Sequence, residues 1–396
     1  MTTECSMTEK INKIAEDSVA QGGAVGSCCM VFKDGRELFS GAYGFADREN
    51  NIPMQLDSIF RLFSLTKPVT AAAAMILADR GLLSPDDPVS RFFPEYSHLR
   101  IMDGDKAVPC TEELKVIHLL TMTSGLPYAN NYDISVSAAA RLFDDVINGQ
   151  HGGTPVTTED FARKAAQIPL SFVPGERWDY GISADILGGI IEQISGMRYG
   201  EFLKKNIFDP LGMSDTGFYV PESKRERFTA LYKWQNDGLV PDRDNYLGLT
   251  DYTSPPAFES GGAGLVSTIS DYSRFAQLLS GRGEYGGIRL LSENAFRFMA
   301  SPKLDEMQRR TMWSRLSGYN YGTLVRVMTD EEKSEIKTSN GEIGWDGWTG
   351  TYFCSNPETG ITVLYFTQIA GAGTTWQAAQ VSRIVYDELV RKEQQK

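Results

Sequence analysis

Strand signals crowd the two ends of this chain and leave a long, mostly helical stretch between them. That distribution limits the fold more than any other feature. Near the start, Ala24 to Phe32 is apolar and rich in β-formers, Asp34-Gly35 follows as a two-residue hairpin signal, and Glu37 to Tyr43 reads as the returning strand. Near the end, Tyr319 to Met328, Trp345 to Cys354 and Ile361 to Gln368 read as strands, with Asn356-Pro357 and Thr359-Gly360 turning between the last two. Strands joined by short hairpins make antiparallel sheet. If both ends share one sheet, the fold class is α+β: an antiparallel sheet flanked by helices, with an all-helical domain inserted. The expected division is 1–80 with 255–396 for the mixed sheet domain and 81–254 for the mainly helical one. A site is expected between them, where pockets commonly lie.

Helical periodicity fills in the rest. Residues 7–20 place Ile11, Ile14, Ala15 and Val19 on one face. A helix from Ser64 to Ala78 is expected to stop at Gly81. Thr111 precedes Glu112-Glu113 and the run LKVIHLL, and Thr157 stands at capping-box spacing from Asp160. The run ADILGGIIEQIS groups Ile186, Leu187, Ile190, Ile191 and Ile194, and Thr268 with Asp271 suits the start of a helix over 269–280. A last helix runs from about Thr375 to Arg391, with Trp376, Ala379, Ile384 and Leu389 among its apolar positions. Residues 130–155 read as an insertion loop around a short helix, and the charged run from Asp330 to Lys337 as a solvated loop.

Composition excludes several functions. The 39 basic residues face 51 acidic ones, a net charge of −12, which argues against nucleic acid and anionic membranes as partners. The longest apolar run, Ala71 to Ala78, is far below the ~18 residues that span a bilayer. The N-terminal residues carry no apolar core of signal-peptide length. The 5 cysteines are an odd number without a CxxC pair, and Cys28 and Cys29 are adjacent, so a reduced, cytoplasmic protein is expected. The 3 histidines, His98, His118 and His151, lie far apart and form no zinc motif. No metal or cofactor is expected, and the partner is a small-molecule ester or amide.

The familiar Ser-His-Asp hydrolase fails on two counts. The nearest approach to GxSxG is Gly181-Ile182-Ser183-Ala184-Asp185, which lacks the final glycine, and no histidine follows His151. A serine nucleophile without histidine can use lysine as its base. Ser64-Leu65-Thr66-Lys67 supplies that pair on one helix face. Pro68 is comfortable only in a first helical turn, which places the helix start at or near Ser64. Burial and the positive helix end both lower the pKa of Lys67, so a neutral amine can take the Ser64 proton. The free N–H of Ser64 can face the developing oxyanion. Ser334-Glu335-Ile336-Lys337 repeats the spacing inside the charged run, without a helix start.

The run FRLFSLTKPVTAAAAMILADRGLLSPDDPVSRFFPEY, around Ser64, resembles the serine hydrolases of the β-lactamase fold: class C β-lactamases, DD-peptidases and the family's esterases. Four further stretches resemble that family in the same order: VIHLLTMTSGLPY, FVPGERWDYGISADILGGIIEQISG, SGGAGLVSTISDYSRFAQLL and GWDGWTGTYFCSNPETGITVLYF. The resemblance covers about residues 25–390. It implies a mixed α/β domain beside an all-helical one. It also implies that Ser64 is the nucleophile, Lys67 the SxxK lysine and Tyr180 the tyrosine of the YxN motif. Lys67 and Tyr180 would share one proton, the cation lowering the phenol. Trp345-Asp346-Gly347 stands at the KTG position, with Gly347 allowing close approach to substrate and the Trp348 N–H as second oxyanion donor. Lys337-Thr338-Ser339 is a poorer match. Ile182 replaces the YxN asparagine and Trp345 the KTG lysine. Both changes remove groups that contact β-lactams in penicillin-recognising members, and Trp345 resembles the esterase branch. The expected function is ester cleavage or acyl transfer through an acyl-enzyme on Ser64. The alternatives are a β-lactamase, a D-aminopeptidase or DD-peptidase-like amide hydrolase, and a catalytically inactive binding scaffold.

Overall fold

The computed structural model describes residues 6–129, 134–249 and 252–392. A helix, α1 (Met7–Ala20), opens it behind a capping box of Ser6 and Glu9. Two strands follow, β1 (Gly26–Lys33) and β2 (Arg36–Asp47). Asp34 and Gly35 both have positive φ, at 51° and 76°, the geometry a tight hairpin turn requires. A short strand β3 (Ile52–Pro53) pairs with β2. Five more strands come from the other end of the chain: β4 (Tyr319–Tyr321), β5 (Arg326–Met328), β6 (Ile343–Asp346), β7 (Tyr352–Asn356) and β8 (Ile361–Thr367). All eight form one sheet in the order β4-β5-β6-β7-β8-β1-β2-β3, with every neighbouring pair antiparallel. The two ends of the chain therefore do share a sheet, joined where Val31 of β1 faces Val363 of β8.

Both faces of the sheet are covered. Successive side chains on a strand point to opposite faces. Cys28, Met30 and Phe32 accordingly join one core with Phe353, Leu364 and Phe366, while Cys29 and Val31 join another with Val363, Tyr365, Val381 and Val385. The adjacent cysteines thus belong to different layers. The second core is closed by α1 and the last helix, α5, described below. The first continues into a large cluster that also holds the central helices.

Three more helices matter for the site. Helix α2 (Thr66–Asp79) buries every side chain from Thr66 to Leu77. Helix α3 (Ser183–Ser195) packs against it and ends at Gly196, whose φ of 66° terminates the helix. Helix α4 (Ile269–Ser280) starts at Thr268, whose hydroxyl accepts from the Asp271 amide, and lies on β7 and β8. Helix α5 (Trp376–Tyr386) closes the chain and continues as a wider turn to Arg391.

The structure corrects several readings. The middle of the chain is not all helical: Arg100–Asp103 pairs with Lys106–Pro109, and Tyr232–Gln235 with Gly238–Pro241. The stretch from Tyr319 to Met328 is a hairpin rather than one strand, because Leu324 at φ 55° turns the chain between β4 and β5. The stretch from Trp345 to Cys354 is likewise two strands, split by a turn at residues 347–351. After Thr111 the helix begins only at Val116, capped at Lys115. Trp376 is 64% exposed, so it is not an apolar anchor of α5. Part of the expected loop at 130–155 falls outside the described residues; Ile134–Gln150 is a helix of 17 residues, longer than expected. Among the described residues, no helix is long and apolar enough to cross a membrane.

Candidate active site

The nucleophile segment is built by a tight sequence of turns. Ile59–Arg61 pairs with Val266–Thr268, then the chain leaves that ribbon at Leu62. Phe63 has φ 44°, a strained value for a bulky residue. A single 3-10 turn over Phe63–Leu65 follows, and α2 begins at Thr66. Ser64 therefore sits in the turn just ahead of the helix. Pro68 falls within the first helical turn, as its missing N–H demands. Among the described residues, no backbone carbonyl accepts from the Ser64 amide.

Lys67 is fully buried. Its Nζ lies 3.4 Å from Ser64 Oγ and donates to the Tyr128 hydroxyl at 2.9 Å and the Gly262 carbonyl at 2.8 Å. Burial pulls its pKa down to about 7, against the opposing carboxylates of Asp185 and Asp346. The amine is thus available in neutral form near neutral pH.

Tyr128 was not singled out from the sequence, although it ends the stretch VIHLLTMTSGLPY. It reaches Lys67 because the chain pairs locally: Pro127 bridges Gly181, and the Ile182 amide donates to the Leu126 carbonyl. A Cβ on Gly181 would stand 1.9 Å from that carbonyl, so only glycine permits the approach. The pairing brings the Tyr128 and Tyr180 rings to 5.7 Å. Tyr180 lines the same cavity as Ser64, and its hydroxyl accepts from the Trp345 indole N–H at 3.1 Å. Burial raises its phenol pKa rather than letting a cation lower it, which corrects the expected direction. Lys67 lies over the Tyr180 ring, 4.5 Å from its centroid.

The remaining expected residues divide. Trp345 on β6 and Trp348 in the following turn both line the same cavity as Ser64. Trp348 packs on Phe63 at 5.3 Å and on Tyr246 at 4.4 Å, and no described backbone carbonyl accepts from its amide. Gly347 serves a different contact from the one expected. Its missing Cβ would fall 2.2 Å from the Leu62 carbonyl and 2.1 Å from Thr351 Oγ1, so the glycine clamps the β6 end onto the nucleophile segment. Ile182 is wholly buried in the main core and does not line the cavity. It belongs to the support of α3: its side chain packs in the core, and its amide donates to the Leu126 carbonyl. Ser183 is occupied by Ser124 at 2.8 Å, and Ser334 bonds its own loop at Ile336.

The cavity holds about 770 Å³. Phe63, Tyr246, Leu247 and Trp348 line one side and Trp313, Trp345 and Tyr180 another. Arg315 also lines it, half-exposed and paired with the buried carboxylate of Asp346 at 3.2 Å. The walls are otherwise chiefly aromatic. A hydroxyl, a buried amine whose pKa is lowered to about 7 and two phenols meet at the floor of the cavity, an arrangement able to activate a serine for acyl transfer.

The Beta-lactamase family model matches residues 11–383. The chain belongs to the β-lactamase family. Within that family it is 32% identical to an uncharacterised protein of Mycobacterium tuberculosis over 87% of this chain and 85% of that protein. It is 29% identical to the esterase EstB of Burkholderia gladioli, over 93% and 92%. Among solved structures it resembles EstCE1, described as a hydrolase with promiscuous acyltransferase activity, with a TM-score of 0.81, 26% identity and coverage of 96% and 98%. The protein is a serine hydrolase of the β-lactamase fold, on the esterase side of the family.

Proposed function

We propose that this member of the β-lactamase family cleaves carboxylic esters, or transfers their acyl group, through an acyl-enzyme on Ser64. The observation that carries the reading is the buried Lys67 amine, 3.4 Å from Ser64 Oγ at the floor of an aromatic cavity. Ser64 Oγ attacks the ester carbonyl carbon as its proton passes to Lys67. The Ser64 and Trp348 amides face the oxyanion. Tyr180, held protonated by burial, donates to the leaving alkoxide, and the Lys67 ammonium then returns a proton to the phenolate. Water then reverses the sequence to release the acid; an alcohol in its place gives acyl transfer. In this reading the sheet portion (1–80 and 255–396) supplies Ser64, Lys67, Trp345 and Trp348. The middle portion (81–254) supplies Tyr128 and Tyr180. A cytoplasmic location is consistent with the cysteine usage.

Apolar walls suit an ester better than a β-lactam, whose carboxylate and amide need polar partners to offset desolvation. Arg315 is the cation that favours the amide-hydrolase alternative, but it is already paired with Asp346. The test measures kcat/KM for p-nitrophenyl acetate, butyrate and longer esters beside nitrocefin. Short esters should be cleaved faster, and Ser64→Ala should abolish turnover while leaving the melting temperature nearly unchanged. Faster turnover of nitrocefin would replace this reading with the β-lactamase one. Activity in Ser64→Ala would remove the mechanism, and a wild-type protein without either activity would point to a binding scaffold.

A further inference from the structure

Asp185 is a second ionisable group sealed beside Lys67, and none of the steps above uses it. It stands on the first turn of α3 and is 1% exposed. Its Oδ1 accepts from the Ser260 hydroxyl and, at 3.0 Å, from the Gly262 amide. Its Oδ2 is buried without any hydrogen-bond partner among the described residues. Leaving a carboxylate oxygen so placed is costly unless a positive charge answers it.

Gly262 shows where that charge arises. Lys67 Nζ donates to the Gly262 carbonyl, while Asp185 accepts from the amide of the same residue. A Cβ on Gly262 would stand 2.6 Å from the Tyr128 hydroxyl and 2.9 Å from Asp185 Oδ2. The absent Cβ leaves the unpartnered carboxylate oxygen facing the Lys67–Tyr128 pair with only that gap between them.

We propose that Asp185 is a positioning residue that sets the proton affinity of Lys67, holding the ammonium formed when the amine takes the Ser64 proton. This rests on the reading of Lys67 as the base. In that step the Ser64 O–H bond breaks, an Nζ–H bond forms, and Oγ bonds the acyl carbon. The new ammonium is shut off from bulk solvent by burial. The groups facing it are Ser64, the Tyr128 and Tyr180 phenols, the Gly262 carbonyl, Asp185 and Asp346. Burial holds both phenols protonated, and Arg315 offsets the charge of Asp346. Burial raises the pKa of Asp185, while Lys67 and the Ser260 and Gly262 donors oppose that rise and favour its carboxylate; among the described residues it is the carboxylate that no other cation pairs. Burial alone would leave Lys67 too weak a base; the carboxylate restores proton affinity to the range where base strength and neutral fraction are both useful.

The test reads the pH dependence of Ser64 labelling by a fluorophosphonate, which needs no substrate and no leaving-group proton. In wild type, labelling should rise with pH as Lys67 loses its proton. Removing a negative charge stabilises the neutral amine, so Asp185→Asn should move that limb down by about one pH unit. The weaker base should also lower the plateau rate by ~10-fold or more. Ser260→Ala removes a donor to the carboxylate and should move the limb the same way by less. Thermal melts show which variants fold; if Asp185→Asn does not, Ser260→Ala carries the test. A limb that stays in place in a folded variant overturns the proposal even if the plateau falls, because mere loosening of the site lowers rate without shifting titration. Failure of the site reading looks different: wild type is then not labelled, or Ser64→Ala labels equally well.

Discussion

An ammonium at Lys67 would be shut off from bulk solvent, since the side chain is wholly buried and among the described residues hydrogen-bonds Ser64, Tyr128 and the Gly262 carbonyl. The same contacts make the neutral amine a directed base. Lys67→Ala and Tyr180→Phe should each lower kcat by about 10² or more, the usual scale for losing a proton-transfer group. Because both act on the Ser64 proton, the double variant should be little worse than either single one. Steady-state kinetics on p-nitrophenyl butyrate decide this: losses that multiply would mean that the two side chains act independently. The closeness of Ser64 and Lys67 was legible in SxxK before a proline, whereas Tyr180 was named only through the resemblance to the β-lactamase-fold hydrolases. Tyr128 was not, since nothing next to it in sequence hints at a lysine 61 residues away.

At the scale of elements, the decisive contact is the turn after β6 against the segment ahead of α2. Gly347 lets the two backbones touch, and Thr351 Oγ1 donates to the Leu62 carbonyl at 3.1 Å. Gly347→Ala should cost about 1–3 kcal/mol, the range for overpacking, since its Cβ meets backbone that cannot move aside. Chemical denaturation measures this, and an unchanged midpoint would show that the clamp is loose. Kinetics on the same variant should show a larger loss in kcat than in KM, because Ser64 and the Trp348 amide shift relative to each other. Regular elements were legible wherever one period ran long enough: α1, β1, α3 and the capped α4 all agree with their patterns. The misread stretches fail for different reasons. At Leu324 the chain turns on a residue that carries no turn signal, and the Asp103-Gly104 hairpin was hidden among helical neighbours.

At the scale of the whole molecule, β1 is paired with β2 on one side and with β8, made last, on the other. Removing residues 357–396 deletes β8 and α5 and leaves β1 and β7 with open edges. Such a truncated chain should show no cooperative thermal transition and no fluorophosphonate labelling of Ser64. A folded, labelled fragment would show that the sheet closes without its last strand. This pairing also imposes an order in time. Ser64 is synthesised roughly 15–60 s before Ile361 at ordinary rates of translation. For that interval the nascent chain carries its serine without the strand that completes the sheet behind it, and the apolar edge of β1 waits unpaired. Only when residues 361–367 fold back onto β1 is the sheet behind Ser64 joined across its middle.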